Sequence, residues 1–256
     1  MICSRCHHFA AAPGGTLCAQ CAVALPAPAP AAPFAPPANA WLRSPVGLGR
    51  AAAVALGLVI AADLFAIWAD LLNMRVADEL ADGAYTAGMG RRADHADSVY
   101  RVSGLVQTTA LLASIVMFLC WFYRARVNAE VFDQAGHEKS RGWAIGGWFT
   151  PVVNLWFPRR ITLDIWDAST AWGARRSHVL VNTWWTLWII SLFADRAAAV
   201  EYRKADTASE LAFAARQMLF SDAVDIVAAV FAILVVLRLT RMQHQKALAG
   251  PVPAMV

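Results

Sequence analysis

The stretch AAAVALGLVIAADLFAIWADLL, residues 51–72, is the strongest indication of the fold, because it is long and apolar enough to cross a lipid bilayer. A bilayer-spanning helix needs about 20 predominantly apolar residues. Three further stretches meet or approach that length, at residues 103–123, 179–194 and 217–237. Arginines lie at or near the ends of all four stretches. The sequence therefore predicts an all-α, polytopic membrane bundle of four transmembrane helices.

The composition of the chain agrees with a membrane protein. Its 256 residues are 59% hydrophobic and only 16% charged, and the mean hydropathy is +0.47. A soluble domain carries about 25% charged residues, so these values exclude an ordinary soluble enzyme and a disordered chain. The net charge of +4 is typical of the cationic flanks of membrane helices. We therefore expect no nucleic-acid partner.

A fifth apolar block, residues 143–158, is too short for a regular span, and Pro151 interrupts it. We expect an interfacial or re-entrant segment here, with a fifth span as the alternative. Residues 159–172 follow it with a stripe of apolar side chains at helical spacing. This pattern predicts an amphipathic helix that lies on the membrane surface. The stripe consists of Ile161, Ile165, Ala168 and Trp172.

Four cysteines near the amino terminus have the spacing of a metal site: Cys3, Cys6, Cys18 and Cys21. In each C-x2-C pair, a tight turn aims two thiolates at one ion, and two such pairs suit tetrahedral zinc. The pattern therefore predicts a small zinc ribbon with zinc as cofactor. A disulfide pair in an oxidising compartment and an unmetallated tail are the alternatives.

Changes in composition divide the chain into four parts. We predict a zinc-ribbon-like module at residues 1–23 and a Pro/Ala-rich linker at residues 24–44. A four-span membrane domain follows at residues 45–246, and residues 247–256 form a disordered tail. Alternating proline and alanine in the linker favour an extended polyproline tether.

The distribution of basic residues predicts the orientation in the cell membrane. With four spans and the amino terminus inside, fourteen of the 22 basic residues lie on the cytoplasmic side and eight outside. Cytoplasmic loops carry an excess of Lys and Arg, and thiolate ligands need a reducing compartment. Both arguments predict a multi-pass protein with cytoplasmic amino and carboxyl termini.

Four carboxylates lie within the predicted spans: Asp63, Asp70, Asp222 and Asp225. An acid at the bilayer centre costs about 2.5–3.5 kcal/mol, so it normally faces the bundle interior and has a partner. Gln107 and Asn182 on the neighbouring spans are suitable partners. This possible polar site is either a hydrogen-bonded structural core or part of a proton or cation pathway.

Residues 141–166 read RGWAIGGWFTPVVNLWFPRRITLDIW. The pattern G-W, then G-W-F-x-P-x-x-N-L-W-x-P, then I-W, resembles the domain-of-unknown-function 4328 family of bacterial membrane proteins. The resemblance implies a four-span fold over about residues 45–245, together with an amino-terminal cysteine module and a proline-rich linker. It implies no activity and supplies no catalytic residues.

The same motif predicts contact with lipid, because indole rings prefer the headgroup level of a bilayer. It is either an interfacial anchor or a binding site for anionic lipid, with arginines placed to meet headgroups. The residues concerned are Trp143, Trp148, Pro151, Asn154, Trp156, Arg159, Arg160 and Trp166.

The sequence contains no G-x-S-x-G elbow, P-loop or H-E-x-x-H motif, so we expect no enzyme. The expected function is that of a membrane scaffold whose ribbon recruits a cytoplasmic protein partner. The alternative is a small proton- or cation-coupled transporter or channel that uses the intramembrane aspartates. Small residues such as Ala51 and Ala55 also allow close helix contact, either within one chain or in a homo-oligomer.

Overall fold

The computed structural model describes residues 2–23, 42–83, 88–174 and 177–250. Most of the predicted linker (24–44) and of the predicted tail (247–256) lies outside these residues. The chain divides into two units at residue 40. We describe the amino-terminal unit, here called the Cys module (residues 2–23), separately from the helical domain that begins at residue 42.

The Cys module is built mainly of turns. An isolated antiparallel bridge joins Ile2 and Ala10, and the short helix α1 spans Ala19–Val23. The backbone N–H of Ser4 donates to the carbonyl of Thr16 at 2.9 Å, which holds the two halves of the module together.

The helical domain consists of six α-helices and one 3₁₀ turn within the described residues. The long helices are α2 (Val46–Ala81), α3 (Met89–Phe132), α6 (Val179–Lys204) and α7 (Ala208–Leu248), and between α3 and α6 lie α4 (Trp143–Phe149), the 3₁₀ turn Val153–Leu155 and α5 (Phe157–Ser169). Local sequence favours these boundaries. Thr207 and Glu210 form a reciprocal capping box at the start of α7, and Pro158 occupies the first turn of α5.

Among the helices that the structure describes, three are long and apolar enough to cross a membrane: α2, α3 and α7. The remaining predicted span, residues 179–194, lies in α6, which is 26 residues long but is not among these three. Each long helix also continues well beyond its apolar run. Helix α6, for example, extends past the apolar run at residues 179–194 as far as Lys204.

Helix α2 packs between α3 and α7, and α6 packs against the other side of α7. The contact between α2 and α7 is close because small residues line it. A Cβ atom placed on Gly49 of α2 would come within 2.4 Å of the Thr240 hydroxyl of α7. The buried alanines that pack within this chain include Ala55, Ala62, Ala66, Ala228 and Ala232.

A buried polar cluster, here called the amide cluster, joins the helices near the carboxyl end of α7. Gln243 donates to the backbone carbonyl of Ala125 at 2.8 Å and to the Ser169 hydroxyl at 3.2 Å. Asn128 donates to the side chain of Gln243 at 3.3 Å and to the carbonyl of Arg43 at 2.9 Å. The amide cluster therefore ties α3, α5 and α7 to the segment before α2.

The proline-containing segment is interrupted as its sequence predicts. Helix α4 ends at Phe149, and Val152 adopts a positive φ of 67° before α5 begins. The prediction that α5 lays its apolar stripe on a membrane is wrong. Ile161, Ile165 and Ala168 are buried in the core of the protein, and Trp172 lies beyond the end of the helix. An apolar stripe has the same spacing whether it meets lipid or protein.

Candidate functional site

The four cysteines of the Cys module converge. Their Sγ atoms all lie within 4.8 Å of one another, and Cys6 Sγ is 3.8 Å from Cys18 Sγ. Cys3 and Cys18 are buried, whereas Cys6 and Cys21 are half-buried. The turns between them aim the side chains inward, since the backbone N–H of His7 donates to the carbonyl of Cys3 at 3.1 Å.

Backbone amides stabilise the thiolate forms of the first C-x2-C pair. The N–H groups of Cys6 and Cys18 lower the pKa of Cys3 to about 6. The N–H groups of His8 and Phe9 lower the pKa of Cys6. Such amide–sulfur contacts favour the charged form of a cysteine, which is the form that binds metal.

The donor set of the Cys module fits a soft tetrahedral ion. Zn–S bonds of about 2.3 Å place tetrahedral sulfurs about 3.8 Å apart, and the distance between Cys6 and Cys18 agrees with this value. Among the residues that the structure describes, these cysteines form the one group of three or more His, Cys, Asp or Glu side chains that is close enough to hold a metal ion.

The second site lies inside the helical domain and is centred on Gln107 of α3. Its amide nitrogen donates to Asp63 of α2 at 3.1 Å and to Asp222 of α7 at 3.0 Å. One side chain therefore joins three helices. Asp63 is 4% exposed and Asp222 9%, so both carboxyl groups are withdrawn from the surface.

Three more aspartates complete this aspartate cluster, which comprises Asp63, Asp70, Asp195, Asp222 and Asp225. Asp70 lies beside Asp222, and Asp225 lies beside Asp195 and Ser191. Asp195 is not among the carboxylates expected from the sequence, because it lies just beyond the apolar run that ends at residue 194. The Ser221 hydroxyl donates to Asp195 and joins α7 to α6.

The aspartate cluster lacks a cationic partner within the described part of the chain. The ion pairs in the described residues involve carboxylates outside this cluster. In addition, the Oδ2 atom of Asp63 is buried and accepts no hydrogen bond. Asn182, expected among the partners of these acids, lies elsewhere. Its side-chain oxygen accepts from Arg159 Nε at 3.1 Å and Nη2 at 2.8 Å, because the first turn of α5 packs against α6.

The tryptophan motif is divided between the protein core and its surface. Trp148 lies in an aromatic cluster, with ring centroids 5.4 Å from Phe118 and 5.6 Å from Trp188. Trp166 is buried, whereas Trp143 and Trp156 are partly exposed. An interfacial position is therefore wrong for Trp148 and Trp166, which join α4 and α5 to the other helices.

The remaining motif residues also make internal contacts. Arg160 pairs with Glu138 and lies 3.8 Å from Asp164. Together with the contact between Arg159 and Asn182, this means that both arginines expected to meet lipid headgroups have partners in the same chain, although the pair of Arg160 and Glu138 is exposed. Pro151 and Asn154 lie at the break, where the N–H of Asn154 donates to the carbonyl of Thr150 at 3.0 Å.

These features define a helical protein of the membrane-spanning class that carries a separate cysteine module. The chain belongs to the family described as domain of unknown function DUF4328, whose profile matches residues 85–241. The match begins before α3 and ends near the carboxyl end of α7, so it covers the tryptophan motif and more than half of the chain. It leaves out α2, which the resemblance was expected to include. No match was found among curated proteins or among solved structures.

Proposed function

We propose that the protein is a non-enzymatic membrane scaffold that presents a zinc-bound Cys module to a cytoplasmic protein partner. The convergence of four sulfurs within 4.8 Å carries this proposal. Module residues would form few contacts without an ion, because 22 residues cannot bury a sufficient core. Zinc supplies most of the folding free energy of such small modules when it is bound.

Cys3, Cys6, Cys18 and Cys21 are the zinc ligands in this proposal. The amides that lower the pKa of Cys3 and Cys6 favour the thiolates that the ion requires. The Pro/Ala-rich linker acts as a tether between the Cys module and the first membrane helix. The module serves as a binding surface and not as a catalyst.

The proposed topology has four spans, with α6 as the third in order along the chain. Helix α6 packs along α7 and, at 26 residues, is long enough to reach across a bilayer. The excess of basic residues on one side, fourteen against eight, supports cytoplasmic termini. Trp143 and Trp156, both partly exposed, serve as interfacial anchors.

Zinc-dependent capture of a partner tests the recruitment proposal. Full-length protein in nanodiscs is incubated with cytoplasmic extract, alongside the variants Cys18→Ser/Cys21→Ser and Cys120→Ser. Cys120 is exposed and lies on α3, so its variant controls for cysteine loss in general. We expect one protein to be retained by the wild type and by Cys120→Ser and to be lost from the double variant. Equal retention of this protein by the wild type and by Cys18→Ser/Cys21→Ser would contradict recruitment through the Cys module.

A proton pathway through the aspartate cluster is the second candidate function. The observation that favours it is the bridge from Gln107 to both Asp63 and Asp222, in a region without a basic partner among the described residues. Carboxyl groups that lack a counter-charge in an apolar environment bind protons readily. The oxygens of the aspartate cluster do not converge as metal ligands do, which favours a proton over a metal ion.

Proton flux into proteoliposomes with an internal pH dye tests the second candidate. The variants are Asp63→Asn and Asp222→Asn, and the control is Asp97→Asn, which changes an exposed acid on α3. A flux that both cluster variants abolish and the control retains would support the pathway. A flux equal to that of empty liposomes in the wild type would contradict it.

A further inference from the structure

A groove of about 620 Å³ lies between the carboxyl-terminal end of α2 and the amino-terminal end of α3. Its volume falls in the range of small-molecule sites, about 300–1,000 Å³. The charged and titratable side chains that line it are Arg75 and Glu79 of α2 and Arg91, Arg92 and His95 of α3. Neither the sequence motifs nor the two sites described above include these residues.

The charge of this arginine groove is positive. Three guanidinium groups face one carboxylate, since Arg92 Nη2 pairs with Glu79 Oε2 at 3.2 Å. In the described ranges of the chain, neither Arg75 nor Arg91 forms an ion pair with an acid. A guanidinium group matches the geometry of a phosphate and binds it through two parallel hydrogen bonds.

The arginine groove has an apolar side and a charged side, which suits an amphiphilic ligand. Leu72 and Val76 line its apolar side, and Leu72 is the last residue of the apolar run that begins at residue 51. Arg75 follows one turn later. With residues 51–72 in the hydrocarbon region, Leu72 and Arg75 are at its edge, at the level of lipid headgroups.

We propose that the arginine groove binds the phosphate group of an anionic lipid. Arg75 and Arg91 donate to the phosphate, and Leu72 and Val76 contact the apolar part of the same lipid. The proposal does not depend on zinc or on the aspartate cluster. It depends on α2 and α3 crossing a membrane, not on which side of the membrane the groove faces.

Native mass spectrometry of the full-length protein tests this site. Detergent-solubilised protein receives either phosphatidylglycerol or phosphatidylcholine, and bound lipid is counted for the wild type and for Arg75→Gln/Arg91→Gln. The matched control is Arg203→Gln, an exposed arginine in the last turn of α6. We expect the double variant to retain phosphatidylglycerol about tenfold less than the wild type and the control.

A second variant that should bind more lipid keeps the test decisive even if the double variant misfolds. Glu79→Gln removes the one carboxylate of the arginine groove and releases Arg92 from its ion pair with Glu79, so we expect it to retain more phosphatidylglycerol than the wild type. Equal retention by the wild type, the double variant and Glu79→Gln would overturn the site. The same would follow if phosphatidylcholine were retained as well as phosphatidylglycerol.

A separate arm distinguishes lipid from a soluble anion. Inorganic phosphate is added without lipid, and thermal unfolding is followed by tryptophan fluorescence. We expect no shift in the unfolding midpoint, because the apolar contacts to Leu72 and Val76 are missing. A shift that disappears in Arg75→Gln/Arg91→Gln would assign the arginine groove to a soluble phosphate and overturn the lipid as its ligand.

Discussion

Arg159 of α5 and Asn182 of α6 form a two-point contact in which Nε and Nη2 of the guanidinium donate to one amide oxygen. The contact fastens the first turn of α5 to the first turn of α6. Arg159 follows Pro158 in the first turn of α5. Arg159 therefore stabilises the packing of α5 against α6.

Asn182→Leu should destabilise the helical domain, because it leaves the Arg159 guanidinium without its acceptor. A hydrogen bond to a charged group contributes about 1.5–3 kcal/mol, and we expect a loss in that range in thermal or denaturant unfolding. Thr186→Val, at an exposed position one turn further along α6, should change the stability little. Equal stability of the wild type and Asn182→Leu would show that this contact does not stabilise the helical domain.

Gly49→Ala should disturb the contact between α2 and α7. The new Cβ would lie 2.4 Å from the Thr240 hydroxyl, which also accepts a hydrogen bond from Trp121 at 2.9 Å. We expect a loss of about 1–3 kcal/mol from overpacking. Gly57→Ala, where nothing lies within 4 Å of the added Cβ, is the matched control and should be neutral or stabilising by up to about 1 kcal/mol. A stable Gly49→Ala protein would contradict this close approach.

Gln107→Leu should weaken the junction of α2, α3 and α7. The substitution leaves Asp63 and Asp222 without their shared donor inside the protein, and we expect a loss of about 1–3 kcal/mol. Thr108→Val is the control, because the Thr108 hydroxyl is exposed and donates only to the carbonyl of Gly104 in its own helix. Unfolding in urea at several pH values measures both variants. Identical curves for Gln107→Leu and the wild type would show that the bridge is dispensable.

Asp164→Asn should stabilise the protein near neutral pH. Burial raises the pKa of Asp164, which Arg160 only partly offsets. An ionised carboxyl with a raised pKa therefore costs stability above that pKa, and the cost disappears as the pH falls through it. We expect a higher unfolding midpoint for Asp164→Asn at about pH 7 and little difference at about pH 3, below the ordinary pKa of an aspartate. A lower midpoint at neutral pH would show that the charge of Asp164 is stabilising.

The sequence predicts much of this arrangement because its strongest signals are local. Two C-x2-C pairs predict the convergence of Cys3, Cys6, Cys18 and Cys21, and apolar runs predict the helices. The break near Pro151 follows from the missing backbone donor of proline. Gln107 lies on the face of α3 that a partner of Asp63 requires, and its hydrogen bonds agree with that expectation.

Other features depend on tertiary contacts that a linear pattern does not contain. The apolar run ends at residue 194, but α6 continues through Asp195 to Lys204 because charged residues do not break a helix. Asn182 has an amide that suits either an acid or an arginine, and only the packing of α5 selects Arg159. The arginine groove combines residues from two helices, and no spacing in either helix indicates it.

The zinc content of the purified protein shows whether the Cys module binds the ion that its four cysteines suit. Elemental analysis of protein prepared without added metal or chelator measures zinc per chain, and mass spectrometry under denaturing conditions determines whether the cysteines are reduced. We expect one zinc ion per chain, with reduced cysteines, in the wild type and in Cys120→Ser, and none in Cys18→Ser/Cys21→Ser. A metal-free wild-type protein with Cys3, Cys6, Cys18 and Cys21 joined in disulfides would contradict the zinc module and its place in a reducing cytoplasm.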